Sequence, residues 1–534
     1  MSDVSAAALI ERADALKSER AGLEAAWQEI AEVLRPARAD FTTPPASPMI
    51  GGTATLERLR RNAVYDSAPA LAADNLAAGL WGMITNSANA WFELRHPVTA
   101  INDRQEVRLW LDACTRILRD AFAANGQTFY ARVLELYQDL VAFGTAVFYV
   151  DEVPPDGVRS GGLHFSCRHL GECLIAESDL GEVDTLYRRF AFTARQAHRR
   201  WGDAAGERVV KALACNRPDE RFEFLHAVVP NDDRDPRRAD ARGMRWRSVT
   251  VAVDDKAVVS ESGYHEFPFM VPRWSTSARQ VYGDSPALLA LADVKMLNVM
   301  SKVTIAAAQK SVDPPLLAAD ERGLRGVRTT PGGIIYGGID SQGRARYQPL
   351  QTGAQINLGL EMAEQRRQAI REAFYFSLLL MVSSPNATAT EVLAREQEKL
   401  RLMGPHLGRI ESEFLDPCID RVFAVLMRSG ALPPPPPAVL AVPGLKVEYV
   451  SPLARAQRAA EGEAIVRTFE AMAPLLASAP TVVDNFDTDA VARALADAYG
   501  MPVRAVRDPS VVAAMRAARV PPVGLAAGAL GAGQ

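Results

Sequence analysis

Three stretches of this chain gather residue types that could do chemistry. His164, Cys167, His169 and Cys173 place four potential zinc ligands within ten residues. Their H-x2-C-x-H-x3-C spacing matches no standard zinc pattern, and on a strand His164 and Cys167 would point to opposite faces. A chance cluster in a strand and turn is the expected reading. Gly283-Asp284-Ser285-Pro286-Ala287 imitates a nucleophile elbow but lacks the final glycine that such a strand-to-helix turn needs. Ser285 directly before Pro286 is better read as a helix cap, because a proline at the first helical position loses no hydrogen bond. Asp232-Asp233-Arg234-Asp235-Pro236-Arg237-Arg238, continuing to Arg242, Arg245 and Arg247, interleaves acid with base and reads as a solvated loop, with phosphate contact the alternative. The chain has no G-x-x-x-x-G-K-[ST] loop to cradle phosphates. These residues predict no catalytic residue, no metal ligand and no cofactor. The rival is a hydrolase acting through Ser285, or a metal enzyme built on the His/Cys cluster.

Lysine positions say more than arginine numbers. Arginine outnumbers lysine 52 to 8, a bias that a GC-rich genome explains without function. Three of the eight lysines, Lys295, Lys302 and Lys310, fall on one predicted helix. At about 100° per residue they lie within about 80° of one another, with Asp293 on the other side. They form either an ordinary solvated helix face or a basic stripe presented to a polyanion.

The elements that would position these residues are legible from periodicity. Apolar residues at helical spacing run from residue 3 to 34, where Pro36 stops them, and helical patterns recur at 56–84, 102–124 and 129–143. A Pro/Gly-rich loop fills 44–52. From Ala146 to Ser275 short β-branched and aromatic runs (146–150, 163–167, 185–192, 221–229, 248–253, 267–274) predict a sheet-rich region, interrupted by a helical patch at 193–213. Ser285 and Pro286 open a rod without Gly or Pro to Val312, about 40 Å long, ended by Asp313-Pro314-Pro315. A Gly-rich segment of short strands and turns precedes a second rod, 356–380, whose capping box is Thr352-x-x-Gln355. Thr388-x-x-Glu391 opens a third helix, 389–428, with a 7-3-4-3-4 apolar seam and a kink expected at Gly404-Pro405. Prolines 433–437 read as a stiff spacer, Lys446–Val450 as a strand, 452–520 as a helical domain and 521–534 as a disordered tail.

With 534 residues, 48% apolar and 23% charged, the chain has material for three or four domains and is not a disordered protein. No stretch approaches the run of about 18 apolar residues that a membrane span needs, and the first residues lack a secretory pattern. Five scattered cysteines read as reduced thiols made in a cytosol. A formal net charge of −4 argues against gripping nucleic acid over a whole surface.

Taken in order, several blocks resemble the head-to-tail connector, or portal protein, family of short-tailed bacteriophages. They are Val64-Tyr65-Asp66-Ser67, Leu76-Ala77-Ala78-Gly79-Leu80, Trp91-Phe92-Glu93-Leu94, and Val281 to Ala287 with Asp293 to Asn298. Asp313-Pro314-Pro315, Thr388 to Val392 with Arg395, Gly404-Pro405, Glu413-x-Leu415-x-Pro417 and Val450 to Ala454 with Gln457-Arg458 complete them. The similarity covers about residues 10–510 and leaves out the proline run and the Gly/Ala tail.

The resemblance implies a predominantly helical α+β portal fold, assembled as a closed ring, usually of twelve subunits, at one capsid vertex. Double-stranded DNA would pass through it during packaging and ejection. It implies a wing (1–280), stem helices (281–312 and 356–380) flanking a clip (313–355), and a tunnel loop (381–389). Beyond these come a segment 390–451, holding the long wing helix, proline run and strand, and a crown (452–520). Lys295, Lys302 and Lys310 become DNA-channel candidates. The tunnel loop would present Met381, Val382, Ser383, Ser384, Pro385, Asn386, Ala387 and Thr388. Arg322, Arg325, Arg328, Arg344 and Arg346 become clip candidates for docking terminase and then tail adaptors. Implied partners are further copies of the chain, DNA without sequence preference, terminase, tail adaptor proteins, and the major capsid and scaffolding proteins, with no membrane. The chain would be made in the host cytoplasm and reside in the virion. The second rival, a minor capsid or adaptor protein, fits the length and the rod–clip–rod order less well. A ring of net-acidic subunits suits sliding DNA, because strong phosphate contacts would brake it.

Overall fold

The N-terminal apolar spacing folds as two helices, α1 (Ala6–Glu19) and α2 (Ala21–Leu34), broken at Arg20. The break follows from what Arg20 does. Its buried guanidinium bonds Glu24 and the carbonyls of Leu170, Gly171 and Cys173, and lies over Trp27 and Tyr282. The computed structural model of the chain describes residues 5–42, 61–102, 104–124, 129–153, 162–238, 240–318, 334, 338–350, 356–376, 401–442, 444, 446–449, 462–474, 480–501, 505–507 and 509–519. The tunnel-loop residues 381–388, Arg322, Arg325, Arg328 and the tail 521–534 lie outside them.

Among the described residues the chain mixes helix and strand. Helices α3 (Ala68–Ile84), α4 (Gln105–Ala123) and α5 (Phe129–Phe143) pack with α2 in the largest core, around Trp27, Phe92, Phe122, Phe129, Tyr137 and Phe148. Strand β1 (Phe92–Arg95) pairs antiparallel with 446–449, joining the expected late strand to the N-terminal half.

The sheet-rich region holds two sheets. One is β3 (Gly162–Arg168), β2 (Val147–Val153) and β9 (Phe269–Met270); the other is an antiparallel meander of β4 (Cys173–Glu177), β5 (Val183–Thr193), β6 (Arg221–Pro230), β7 (Trp246–Ala252) and β8 (Ala257–Tyr264). Strands β1, β4 and β8 were missed in the sequence because they are short or carry charge and glycine. The meander is covered on both faces, so neighbouring residues go to different cores: Leu225 packs beneath α1 with Leu9, Ala13 and Leu16. Phe224 packs against α6 (Ala194–Trp201) and α7 (Glu207–Ala214). Those two helices replace the single expected patch because Gly202 and Gly206, both with positive φ, turn the chain between them.

The first rod is α8 (Pro286–Val312), 27 residues, and the second begins as α9 (Ile356–Ala373). Between them β10 (Leu316–Ala318) and β11 (Tyr347–Pro349) pair antiparallel. The third helix is described from 401 to 428. Its backbone stays α-helical through Gly404-Pro405, and the irregularity falls later, as a π turn at Glu411–Leu415. Pro417 explains the position: it offers no N–H to the Glu413 carbonyl and its ring would strike that oxygen, so the turn widens. The proline run does not stand off as a spacer. The Trp110 indole donates to the Pro433 carbonyl at 2.9 Å, Leu432, Ala438 and Val439 are buried, and the last proline opens a short helix.

Candidate functional site

The beginning of α8 is fastened by backbone before any side chain acts. Gly144, at φ +75°, follows α5, and its place against Gly283 leaves no room for a Cβ on either residue. Ser285 accepts from the Leu288 N–H at 2.9 Å and donates to the Ala142 carbonyl at 2.9 Å, so it caps the helix and ties it to α5. Tyr282 takes the Ile175 N–H on its hydroxyl at 3.1 Å. The Val281 to Ala287 block is therefore an anchor, and Ser285 has both hydroxyl functions engaged.

Two contacts make the rods antiparallel: Asp293 meets Arg366 at 2.9 Å, while Thr304, further along α8, meets Gly359, earlier on α9. Segment 63–67 then straps both rods. Asp66 Oδ2 accepts from Arg367 Nε at 3.0 Å, Arg367 Nη2 at 2.9 Å and Ser301 Oγ at 3.1 Å, and Oδ1 accepts from the Ala68 N–H at 2.9 Å. Asn298 takes the Tyr65 N–H on Oδ1 at 2.8 Å and donates Nδ2 to the Ala63 carbonyl at 3.1 Å. Hydrogen bonds to Asp66 and Glu364 hold the Arg367 guanidinium above its ordinary pKa. One carboxylate thus ties α8, α9 and the start of α3 together.

A second knot holds the long helix. Arg273, buried, bonds Glu413 of the π turn at 2.8 Å, pairs with Glu177, and donates to the carbonyls of Val281 and Gly181. Burial opposes its charge, yet Glu413 and Glu177 outweigh that and raise its pKa. Trp274 stacks on His406 at 4.3 Å, and Tyr375, in the left-handed region at φ +55°, reaches the same imidazole at 3.4 Å.

The three candidate lysines share a side of α8 but not a role within the chain. Lys295 pairs with Glu29 of α2 at 2.8 Å. Lys302 lies over the Tyr65 ring, 5.6 Å from its centre. Lys310 is exposed in the last turn, where the helix dipole favours a cation. Arg344 and Arg346 are exposed on a hairpin closed by the Ile339–Ala345 bridge.

The His/Cys cluster is divided among separate partners. His164 is exposed; Cys167 approaches Asp139 at 3.6 Å; His169 accepts the Gly171 N–H and meets the Arg38 carbonyl at 2.9 Å. Burial raises the Cys167 thiol and pushes Cys173 up to about 12. Among the described residues no three His, Cys, Asp or Glu side chains are grouped to hold a metal. The described residues of 232–245 form a turn-rich, mostly exposed loop where Arg238 pairs with Asp240 at 2.5 Å, while Arg247 lies on β7 and pairs with Glu261.

Asp66, Asn298, Arg366, Arg367, Arg273 and Glu413 are the residues sequence reasoning passed over as agents. Asp66, Asn298 and Glu413 stood inside quoted blocks, which was the available signal, while the arginines were hidden among 52.

In class, the molecule is a mixed helix-and-strand protein built to hold out a strapped antiparallel rod pair. The chain belongs to the family described as bacteriophage head to tail connecting protein, matched over residues 6–506. It is 32% identical over 521 residues, 96% of this chain and 90% of the relative, to the probable portal protein of Bordetella phage BPP-1. It is 30% identical over 502 residues, 92% and 87% of the two chains, to the portal protein of Salmonella phage epsilon15. The family is structural, a connector of phage head and tail. No helix among the described residues is long and apolar enough to cross a membrane.

Proposed function

We propose that this head-to-tail connector works as one subunit of a portal ring, most simply of twelve copies, at a capsid vertex, a conduit for double-stranded DNA. Residues 1–280 form the wing, 281–312 and 356–380 the stem, 313–355 the clip, 381–389 the tunnel loop, and 390–451 the long wing helix with the proline run and strand. Residues 452–520 form the crown. The clip, with Arg344 and Arg346 and the arginines at 322, 325 and 328, receives terminase during packaging and tail adaptors afterwards. The wing faces capsid and scaffolding proteins. Lys295, Lys302 and Lys310 are the candidate DNA contacts. Two of them are shared with Glu29 and Tyr65, which suits brief contact with a moving polyanion better than tight binding.

The observation that carries this reading is the rod pair itself. It is strapped midway along α8, at Ser301, by Asp66, and beyond Val312 it leads to the β10–β11 pair. Electron microscopy of the purified protein should show rings with a central channel; a stable monomer at micromolar concentration in several buffers overturns the reading. In the assembled particle, replacing the three lysines together by alanine should impair packaging or retention of DNA while rings still form. If rings fail first, the lysines are subunit contacts and not channel groups.

A further inference from the structure

The two sheets of the 146–275 region face one another across a row of polar side chains that neither apolar core explains. On the meander face away from α1, Arg188, His226 and Thr250 stand side by side as cross-strand partners on β5, β6 and β7. The row to one side, Ile175, Leu186 and Val228, belongs to the largest core. The row to the other side, Phe190, Phe224 and Ala252, packs beneath α6 and α7. Arg188 and His226 are only half-buried between these closed rows. The polar row therefore lies along a seam, where the three-stranded sheet leaves the meander and α6 begins to cover it.

The three-stranded sheet brings unpaired polar groups of its own to this seam. Tyr149, Ser166 and Arg168 share one of its faces, by strand alternation and by the pairing of Tyr149 with Ser166. That face looks at the meander: Tyr149 meets the Tyr264 hydroxyl at 2.9 Å and packs on Phe269, whose ring lies 6.0 Å from that of His226. The Ser166 hydroxyl and Arg168 Nε are buried with no hydrogen-bond partner. Among the described residues the Arg168 guanidinium makes no hydrogen bond or ion pair; it only lies over the Tyr149 ring, 5.0 Å from its centre. Burial lowers its pKa, and the nearby Arg188 lowers it further. Native interiors rarely keep such a charge without a counter-charge, because desolvation is costly. Burial, Arg188, Arg200 and Arg168 also depress His226, to about 3, so three arginines converge on one imidazole. Glu172 holds Arg188 at 2.9 Å. Arg168 and Arg200 form no ion pair among the described residues, which leaves two positive charges uncompensated at the seam.

We infer that this seam binds a small tetrahedral dianion of the inorganic phosphate type, held by Arg168, Arg188 and Ser166 with Arg200 at the mouth. Two uncompensated guanidinium groups match two negative charges, and their planar N–H forks suit the edges of an oxyanion. Neutral His226 lines the same seam without adding charge. The bound anion would pin the three-stranded sheet to the meander. All of these residues belong to one subunit, so the site needs no neighbouring copy.

The test is thermal melting of the purified full chain at about pH 8, where phosphate carries two charges. At constant ionic strength, inorganic phosphate should raise the melting temperature progressively, as a ligand of the native state does, and sodium chloride should not. Calorimetric titration should give one site per chain, with dimethyl phosphate, a monoanion, binding about tenfold more weakly. Arg168→Leu removes a charge that has no partner. Without phosphate it should melt no lower than the parent, and added phosphate should no longer raise it. Arg168→Lys, which keeps the charge and loses the fork, should bind about tenfold more weakly. The site is refuted if phosphate and chloride act alike on the parent, or if Arg168→Leu keeps the full phosphate response. Equal binding of dimethyl phosphate refutes the dianion. If Arg168→Leu melts well below the parent without phosphate, Arg168 is a packing residue on Tyr149 and the inference falls.

Discussion

Removing the Asp66 carboxylate should loosen the rods from the body while leaving the rest of the fold in place. Asp66→Ala deletes four hydrogen bonds at once: two from Arg367, one from Ser301 and one from the Ala68 N–H. The Asp66 side chain is 8% exposed and that of Arg367 27%, so the pair is partly screened and its ionic part counts for about 1 kcal/mol. The Ser301 and Ala68 bonds to a charged acceptor add about 1 kcal/mol each after exchange with water. The sum, about 3 kcal/mol, corresponds to roughly a 150-fold shift in a local opening equilibrium. Because a chain of this size need not unfold in two states, the assay is native-state hydrogen exchange read on α8 and α9. Protection around Ser301 and Arg367 should fall by about two orders of magnitude, with the meander β4–β8 unaffected. Asp66→Asn, which can still accept from Ala68, should lose about half as much free energy. If Asp66→Ala changes protection in the rods by less than threefold, the strap is not what fixes them and the reasoning fails.

Two further outcomes follow from the same geometry. Ser285→Ala should cost about 1–2 kcal/mol in stability, the ordinary value of a lost cap plus its bond to Ala142. It should leave connector assembly intact; a hydrolytic activity abolished by it would revive the enzyme reading. His226 is held neutral by burial and by Arg188, Arg200 and Arg168, which lower its pKa to about 3, while its ring bonds Ser248 at 2.9 Å. The unfolded chain takes up this proton near pH 6.5 and the folded chain does not. Stability should therefore fall with acidification between about pH 6.5 and 3, by up to about 1.4 kcal/mol per unit from this residue. Denaturant titrations of His226→Gln should show a shallower slope across that window; an identical slope would remove His226 from the account.

Much of the local architecture was legible because local rules decided it. Ser285 and Pro286 open a rod wherever that pair occurs before an apolar helix, and Asp313-Pro314-Pro315 closes it. The β-branched runs at 185–192 and 221–229 could hardly be anything but strands. Ordered blocks such as Val64 to Ser67 and Val281 to Ala287 carried the family, and the comparisons agree with them.

What sequence could not decide was who meets whom. Arg20 looked like one residue in a continuous helix; only the approach of the Leu170–Cys173 carbonyls turns it into a buried joint. Lys295, Lys302 and Lys310 share a helical side by periodicity alone, but Glu29 and Tyr65 come from segments far away in sequence, and only the fold brings them there. The apolar residues around α8 were readable as a list. Which of them the chain buries, and which it leaves exposed, depends on where the body stops along the rod. Periodicity fixes directions around a helix; only tertiary packing fixes what stands in each direction.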